Sequence, residues 1–211
     1  MEAGATSIDW DGYVLYNPGV MGPLNGLPLT EARLAFKRCM ETKAERLEML
    51  GRLLNANGVT MDVDDSAVQK LNGWFYENVE FDPEQPGRLL ADWYSVVHDM
   101  AMFLGELTIR RHPNLRWEFF TWGRTNVSFQ KPVIMGFGTE DPKFRTNIDF
   151  ERMVAAYAHR IVAGRGSIPT YGTVTVRGTA IDVDALSRDH DSTDATADQF
   201  LLWLLMAKER A

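Results

Sequence analysis

The chain has one cysteine, Cys39, among 211 residues, which excludes an intrachain disulfide. It also lacks a basic excess: 22 Lys and Arg face 29 Asp and Glu, for a net charge of -7. Nucleic-acid binders draw much of their affinity from phosphate neutralisation, so this balance argues against such a partner. Long apolar runs are missing as well. The densest, Phe200–Met206, spans seven residues, against the roughly 20 that a bilayer-crossing helix needs, so no membrane partner is expected. Met1–Asp11 has neither the basic nor the apolar region of a signal peptide, and a cytoplasmic location is the expectation.

Catalytic and metal-ligand motifs are absent too. His98, His112, His159 and His190 are scattered, and none stands in H-E-x-x-H or another ligand spacing. There is no G-x-S-x-G elbow and no P-loop, and Gly136-Phe137-Gly138 lacks the third glycine of a dinucleotide fingerprint. Asp189, Asp191 and Asp194 match a calcium loop only in part, because Asp194 and Phe200 stand where an EF-hand places Gly and Glu. No catalytic residue, metal or cofactor is expected. Cys39 lies in an amphipathic stretch, where a free thiol is usually a small buried hydrophobe.

What the chain does have is core material: 45% apolar residues, with six Trp and eleven Phe, enough for one domain of this length. Residues 1–29 carry the turn pairs Asn17-Pro18, Gly22-Pro23 and Asn25-Gly26, and read as an extended N-terminal arm. Tyr13–Tyr16 is a short strand or a segment pinned to the body. Residues 30–211 read as a single α+β domain ending in an apolar helix. Thr30 is the expected N-cap of a helix reaching Asn57-Gly58, with Leu34, Met40, Ala44, Leu47, Leu50 and Leu54 at helical spacing. Asp64 or Asp65 caps a second helix to about Asn78, and a third runs from about Arg88 to Arg111.

Leu115–Trp122, Val127–Gln130 and Pro132–Phe137 read as three strands. A helix beginning at Asn147 or Asp149 follows, to Gly164, then a hairpin of Thr173–Val176 with Thr179–Val183. A last helix stands behind a Thr196/Gln199 capping box. Helices come in runs instead of alternating with strands, which predicts α+β: a small antiparallel sheet packed with several helices.

The third helix has the most pronounced polar pattern. Asp92, Asp99 and Glu106 fall on one side of it at 100° per residue, with Ser95 and His98 beside them. Steps of seven residues separate the carboxylates by roughly 10 Å along the axis, too far to close around one ion. The row reads as a solvated face, with Glu106 paired to Arg110 four residues on, available to a basic partner. Gly105 costs about 1 kcal/mol relative to Ala inside a helix, which points to close approach by another element. Trp117 and Trp122 lie on opposite faces of the next strand, so one should be buried and the other is free to be exposed as part of a binding surface, although both rings largely in the core is the preferred reading. Asp92, Asp99, Glu106, Arg110, Trp117 and Trp122 therefore form the candidate binding surface. Phe200–Met206 is apolar all round, so the last helix either threads the core or packs against a second copy as a homodimer.

Residues 74–164, with Asp99 and Gly105-Glu106 on a helix, Trp117 on the next strand, then Pro132-Val133-Ile134 and a helix over Phe150–Val162, resemble a group of small bacterial domains. Some of these are immunity proteins of polymorphic toxin systems. The resemblance implies a protein that binds and neutralises a partner protein without catalysis. A non-catalytic protein-binding module is thus the leading expectation. An enzyme with a cleft between sheet and long helix, using Asp99 or Glu106 with His98, Arg124 or Tyr157, is the alternative. An oligomeric structural or phage-related protein joined through the last helix is a third.

Overall fold

Helix α1, Leu29–Ala56, presents Ala32, Ala35, Cys39, Arg46, Leu50 and Leu53 as one buried stripe at steps of three, four and seven residues. Its 28 residues make it the longest element among those the computed structural model describes, which are residues 8–85, 87–138, 146–164, 173–176, 179–182 and 197–211. Thr30 is not its cap. Pro28 occupies that position, because its fixed φ of -53° suits the entry to a helix and its missing N–H costs nothing there. At the other end Gly58 adopts a left-handed φ of +74°, and Val59 N–H bonds back to the Leu54 carbonyl at 2.8 Å to close the last turn.

Helix α2, Asp65–Asn78, starts at the Asp64 side chain, which accepts from Ala67 N–H. Helix α3, Ala91–Arg111, is central: it packs against α1, against α4 (Phe150–Gly164) and against α5 (Gln199–Arg210). Asp149 starts α4 by accepting from Arg152 N–H at 2.9 Å. The Thr196 part of the expected capping box and the acidic loop at Asp189–Asp194 lie outside the described residues. Asp198 stands at the entry to α5 and makes no capping bond. The orphan Phe200 N–H bonds instead to the buried Asn72 carboxamide of α2 at 2.8 Å, while Asn72 donates to the Tyr157 hydroxyl of α4.

The fold is α+β, as the pattern of elements predicts. Strand β1 (Arg116–Phe119) pairs antiparallel with β2 (Pro132–Met135), Trp117 opposite Ile134 and Phe119 opposite Pro132. A single bridge from Ile134 to Ile148 extends this ladder. Strands β3 (Thr173–Val176) and β4 (Thr179–Asp182) form a separate hairpin. The expected middle strand over Val127–Gln130 does not form. The Asn126 carboxamide accepts from Ser128 N–H at 2.9 Å, and Gln130 takes a left-handed φ of +62°, so side-chain turn chemistry overrides the alternating pattern.

The last helix is not apolar to its full circumference in contact. Phe200, Trp203, Leu204 and Ala207 are buried, with Phe200 and Trp203 against Tyr157, while Leu202 and Leu205 remain exposed. No helix among the described residues is long and apolar enough to cross a membrane.

Gly105 has the reason its sequence position implies. A Cβ there would collide with Cζ2 and Cη2 of Trp117, whose indole lies on the bare backbone of α3. The expected outcome of G105A is a loss of about 1–3 kcal/mol from overpacking, although Ala favours the helix by about 1 kcal/mol. In a W117L background the sign reverses and G105A becomes stabilising. Urea unfolding of the four proteins checks this, and equal effects in both backgrounds would refute the packing explanation.

Candidate functional site

The N-terminal arm, residues 8–28, runs along the groove between α1 and α3, and side chains hold it there. Tyr13 and Tyr16 are its two anchors. The Arg46 guanidinium forks onto Asp99, Nε to Oδ1 at 2.8 Å and Nη2 to Oδ2 at 2.6 Å. Both residues are buried. Tyr13 completes the arrangement by donating its hydroxyl hydrogen to Asp99 Oδ2 and accepting from Arg46 Nη2 at 2.9 Å. The remaining Arg46 nitrogen, Nη1, donates to the Val14 carbonyl at 2.6 Å. Burial first, then the Asp99 carboxylate, raises the Tyr13 hydroxyl far above the usual phenol range, so it stays a neutral donor.

Three residues further along, Tyr16 stacks on His98, rings 3.7 Å apart and 6° from parallel, and its N–H donates to the Ser95 hydroxyl at 2.7 Å. Under this arm lies a cavity of about 410 Å³. His98 and Ser95 of α3 form its floor, Phe36 and Cys39 of α1 one wall, and Lys131 and Glu151 its far rim. A wider groove of about 860 Å³ flanks the other side of the arm and shares Pro18, Val20 and Ala35 with the first. His98 is buried, yet its Nδ1 reaches Glu151 Oε2 at 3.3 Å and its Nε2 faces Cys39 Sγ at 3.9 Å. Burial pulls the imidazole pKa down, but these two neighbours outweigh it and push the group up to about 10.

The residues expected to share an open face do not share one. Asp99 is fully buried, because α1 and the arm cover that side of α3 and leave no solvated stripe there. Glu106 turns to Lys43 of α1 at 2.6 Å and accepts the Trp117 indole N–H at 2.7 Å. It therefore does not pair with Arg110, which is exposed at the end of α3. Asp92 is half-buried in the first turn of α3. Trp117 is half-buried on Gly105, whereas Trp122 lies past the end of β1 and is 53% exposed. Of the groups named for an enzymatic cleft, Tyr157 faces Asn72 in the core, Arg124 is on an exposed turn, and only His98 lines the cavity. Asp99 and Glu106 go to separate cations and meet no common centre.

Sequence reasoning missed Lys43, Arg46 and Glu151, and it named Tyr13–Tyr16 only as a short strand or a segment pinned to the body, of which the second is what the structure has. One signal was present. Arg46 sits on the otherwise apolar stripe Ala32, Ala35, Cys39, Leu50 and Leu53, and a cation at such a position demands a buried anion. Among the described residues, no three His, Cys, Asp or Glu converge as a metal site. No protein-family model, curated protein or solved structure matches the chain.

Breaking a buried pair strands the surviving charge. D99N or R46M is expected to cost about 3–5 kcal/mol, and Y13F about 1.5–3 kcal/mol through its lost bond to a charged group. Urea midpoints at unchanged slope measure these losses, and a D99N cost below about 1 kcal/mol would remove the pair from its structural role.

Proposed function

We propose that this chain is a non-catalytic protein-binding module of the immunity-like kind, and that it meets its partner along the arm and the start of α1. One observation carries the reading: exposed apolar side chains gather around the two connected hollows. Met21 (91% exposed) and Leu34 (65%) line the groove, and Leu15 and Tyr94, both exposed, line the cavity. Contiguous exposed apolar surface marks contact sites far more often than scattered residues do. Glu31, Arg38 and Glu41 edge the groove. Together with the net charge of -7, they favour a partner that presents apolar side chains flanked by basic ones.

The carboxylate row of α3 is a poor candidate for that contact, since Asp99 and Glu106 are already committed to Arg46 and Lys43. An enzymatic use of either would require breaking those pairs. The test is complex formation with the product of a toxin-like neighbouring gene, read by light scattering and calorimetry. A 1:1 complex is expected, weakened at least about 30-fold by M21D/L34D, as loss of a central anchor implies. No complex at micromolar concentration, or one indifferent to M21D/L34D, would sink the proposal.

A second reading concerns self-association. Leu202 and Leu205 stand exposed on α5 beside its buried face, which favours a homodimer through the C-terminal helix. Light scattering at high concentration should then exceed the 23.9 kDa of one chain, and L202E/L205E should restore that mass. A strict monomer mass for the unaltered protein rules the dimer out.

A further inference from the structure

The cavity beneath the arm combines apolar walls with a charged mouth. Val20, Pro23 and Leu24 of the arm, Phe36 of α1 and Pro132 of β2 supply much of the apolar lining. Lys131 and Glu151 at the rim keep 29% and 46% of their side chains exposed, so the charged end opens to solvent. Water at the mouth can serve both charges. Deeper in, between prolines, Leu24 and Phe36, it finds few of the two to four polar partners that a held water needs. Such a cavity, of about 410 Å³, suits a molecule with an apolar body and a charged head.

The charged groups say which head. His98 has nothing further to offer, since its Nδ1 faces Glu151 and its Nε2 faces Cys39 Sγ. Glu151 gives Oε2 to His98 and leaves Oε1 without a partner among the described residues. Lys131 Nζ stands 3.6 Å from Asp149 Oδ2, outside hydrogen-bond reach, and makes no hydrogen bond among the described residues. One cationic donor and one anionic acceptor therefore remain unspent. They are neighbours: enclosure opposes ionisation of Glu151, but His98 and then Lys131 outweigh it and hold the carboxyl below its usual range.

Charge balance narrows the choice. Two cationic side chains, His98 and Lys131, face two carboxylates, Glu151 and Asp149, so the charges cancel before anything enters. A lone carboxylate or a lone amine would bring an uncompensated charge into a half-enclosed space, whereas a zwitterion keeps the balance and uses both unspent groups. We propose that the cavity binds an α-amino acid with an apolar side chain, its carboxylate on Lys131, its ammonium on Glu151 and its side chain between Phe36 and Pro132. The aromatic rings of Tyr16, Phe36 and Tyr94 along the lining favour an aromatic side chain.

The test is calorimetric titration of the full chain with L-phenylalanine, 3-phenylpropionate, phenethylamine and glycine. L-Phenylalanine should bind as one equivalent with a Kd below about 100 μM, within reach of a ligand of its size. Each single-charge analogue lacks one charge-assisted hydrogen bond and should bind about 10–100-fold more weakly. Glycine, with no apolar body, should lose at least about tenfold. K131M should weaken L-phenylalanine by about 10–100-fold without weakening phenethylamine, which has no carboxylate to lose. E151Q should weaken L-phenylalanine without weakening 3-phenylpropionate. The assignment is overturned by no binding of L-phenylalanine at about 1 mM, by an analogue or glycine binding as tightly, or by unchanged L-phenylalanine affinity in either variant. Should a variant fail to fold, the analogue series on the unaltered chain still decides. No partner protein enters this experiment, so its failure and that of the partner reading are distinguishable.

Discussion

The rest of the molecule depends on one buried ion pair. Asp99 lies in the middle of the central helix with no exposed surface, and a carboxylate in that position is tolerable only if a cation and further donors satisfy it. Arg46 supplies two bonds and Tyr13 a third. Each partner constrains a different piece of chain. Arg46 fixes the register of α1 against α3, because a slip of one helical turn would leave two unpaired charges in the core. Tyr13 fixes the arm, which has no strand or helix of its own to hold it beyond the short 3-10 turn Leu24–Gly26.

The cavity follows from that constraint. With Tyr13 seated on the pair, the chain can reach Tyr16 to cover His98 and then continue to Leu24 and Leu27, whose carbonyls accept from the Gln130 side chain. The arm therefore forms a roof tied down at both ends, and the space beneath it is bounded by α1, α3 and α4. The same roof carries Leu15 and Met21 outward. Surface and interior features of the candidate site thus share one origin, the placement of a segment that side chains alone hold in position.

The residues that local chemistry governs were legible in the sequence: the Asp64 cap, the stop at Gly58, the long third helix, β1 and β2, and the close approach at Gly105. Three features were not, and each for a physical reason. The middle strand gave way to an Asx turn at Asn126, whose side-chain bond competes locally with a ladder. The carboxylate stripe on α3 has the spacing of a solvated face, and only its packing against α1 reveals that Asp99 is enclosed. The arm's role depends on pairings across 33 to 86 positions, Arg46 with Tyr13 and Tyr13 with Asp99, which no local pattern encodes. Arg46 on an apolar stripe is the exception, a long-range partner announced by a local anomaly.

The arm's distant seat also bears on how the chain is made. Tyr13 precedes Asp99 by 86 residues, so it leaves the ribosome well before its acceptor exists. At about 5–20 residues per second, that interval is roughly 4–17 s. During synthesis Trp10, Tyr13 and Tyr16 are aromatic side chains without a groove to enter. Vectorial translation thus makes the roof of the cavity earlier to be synthesised than the helix it docks on and among the last parts to dock, and it gives chaperones an aromatic segment to hold in the meantime.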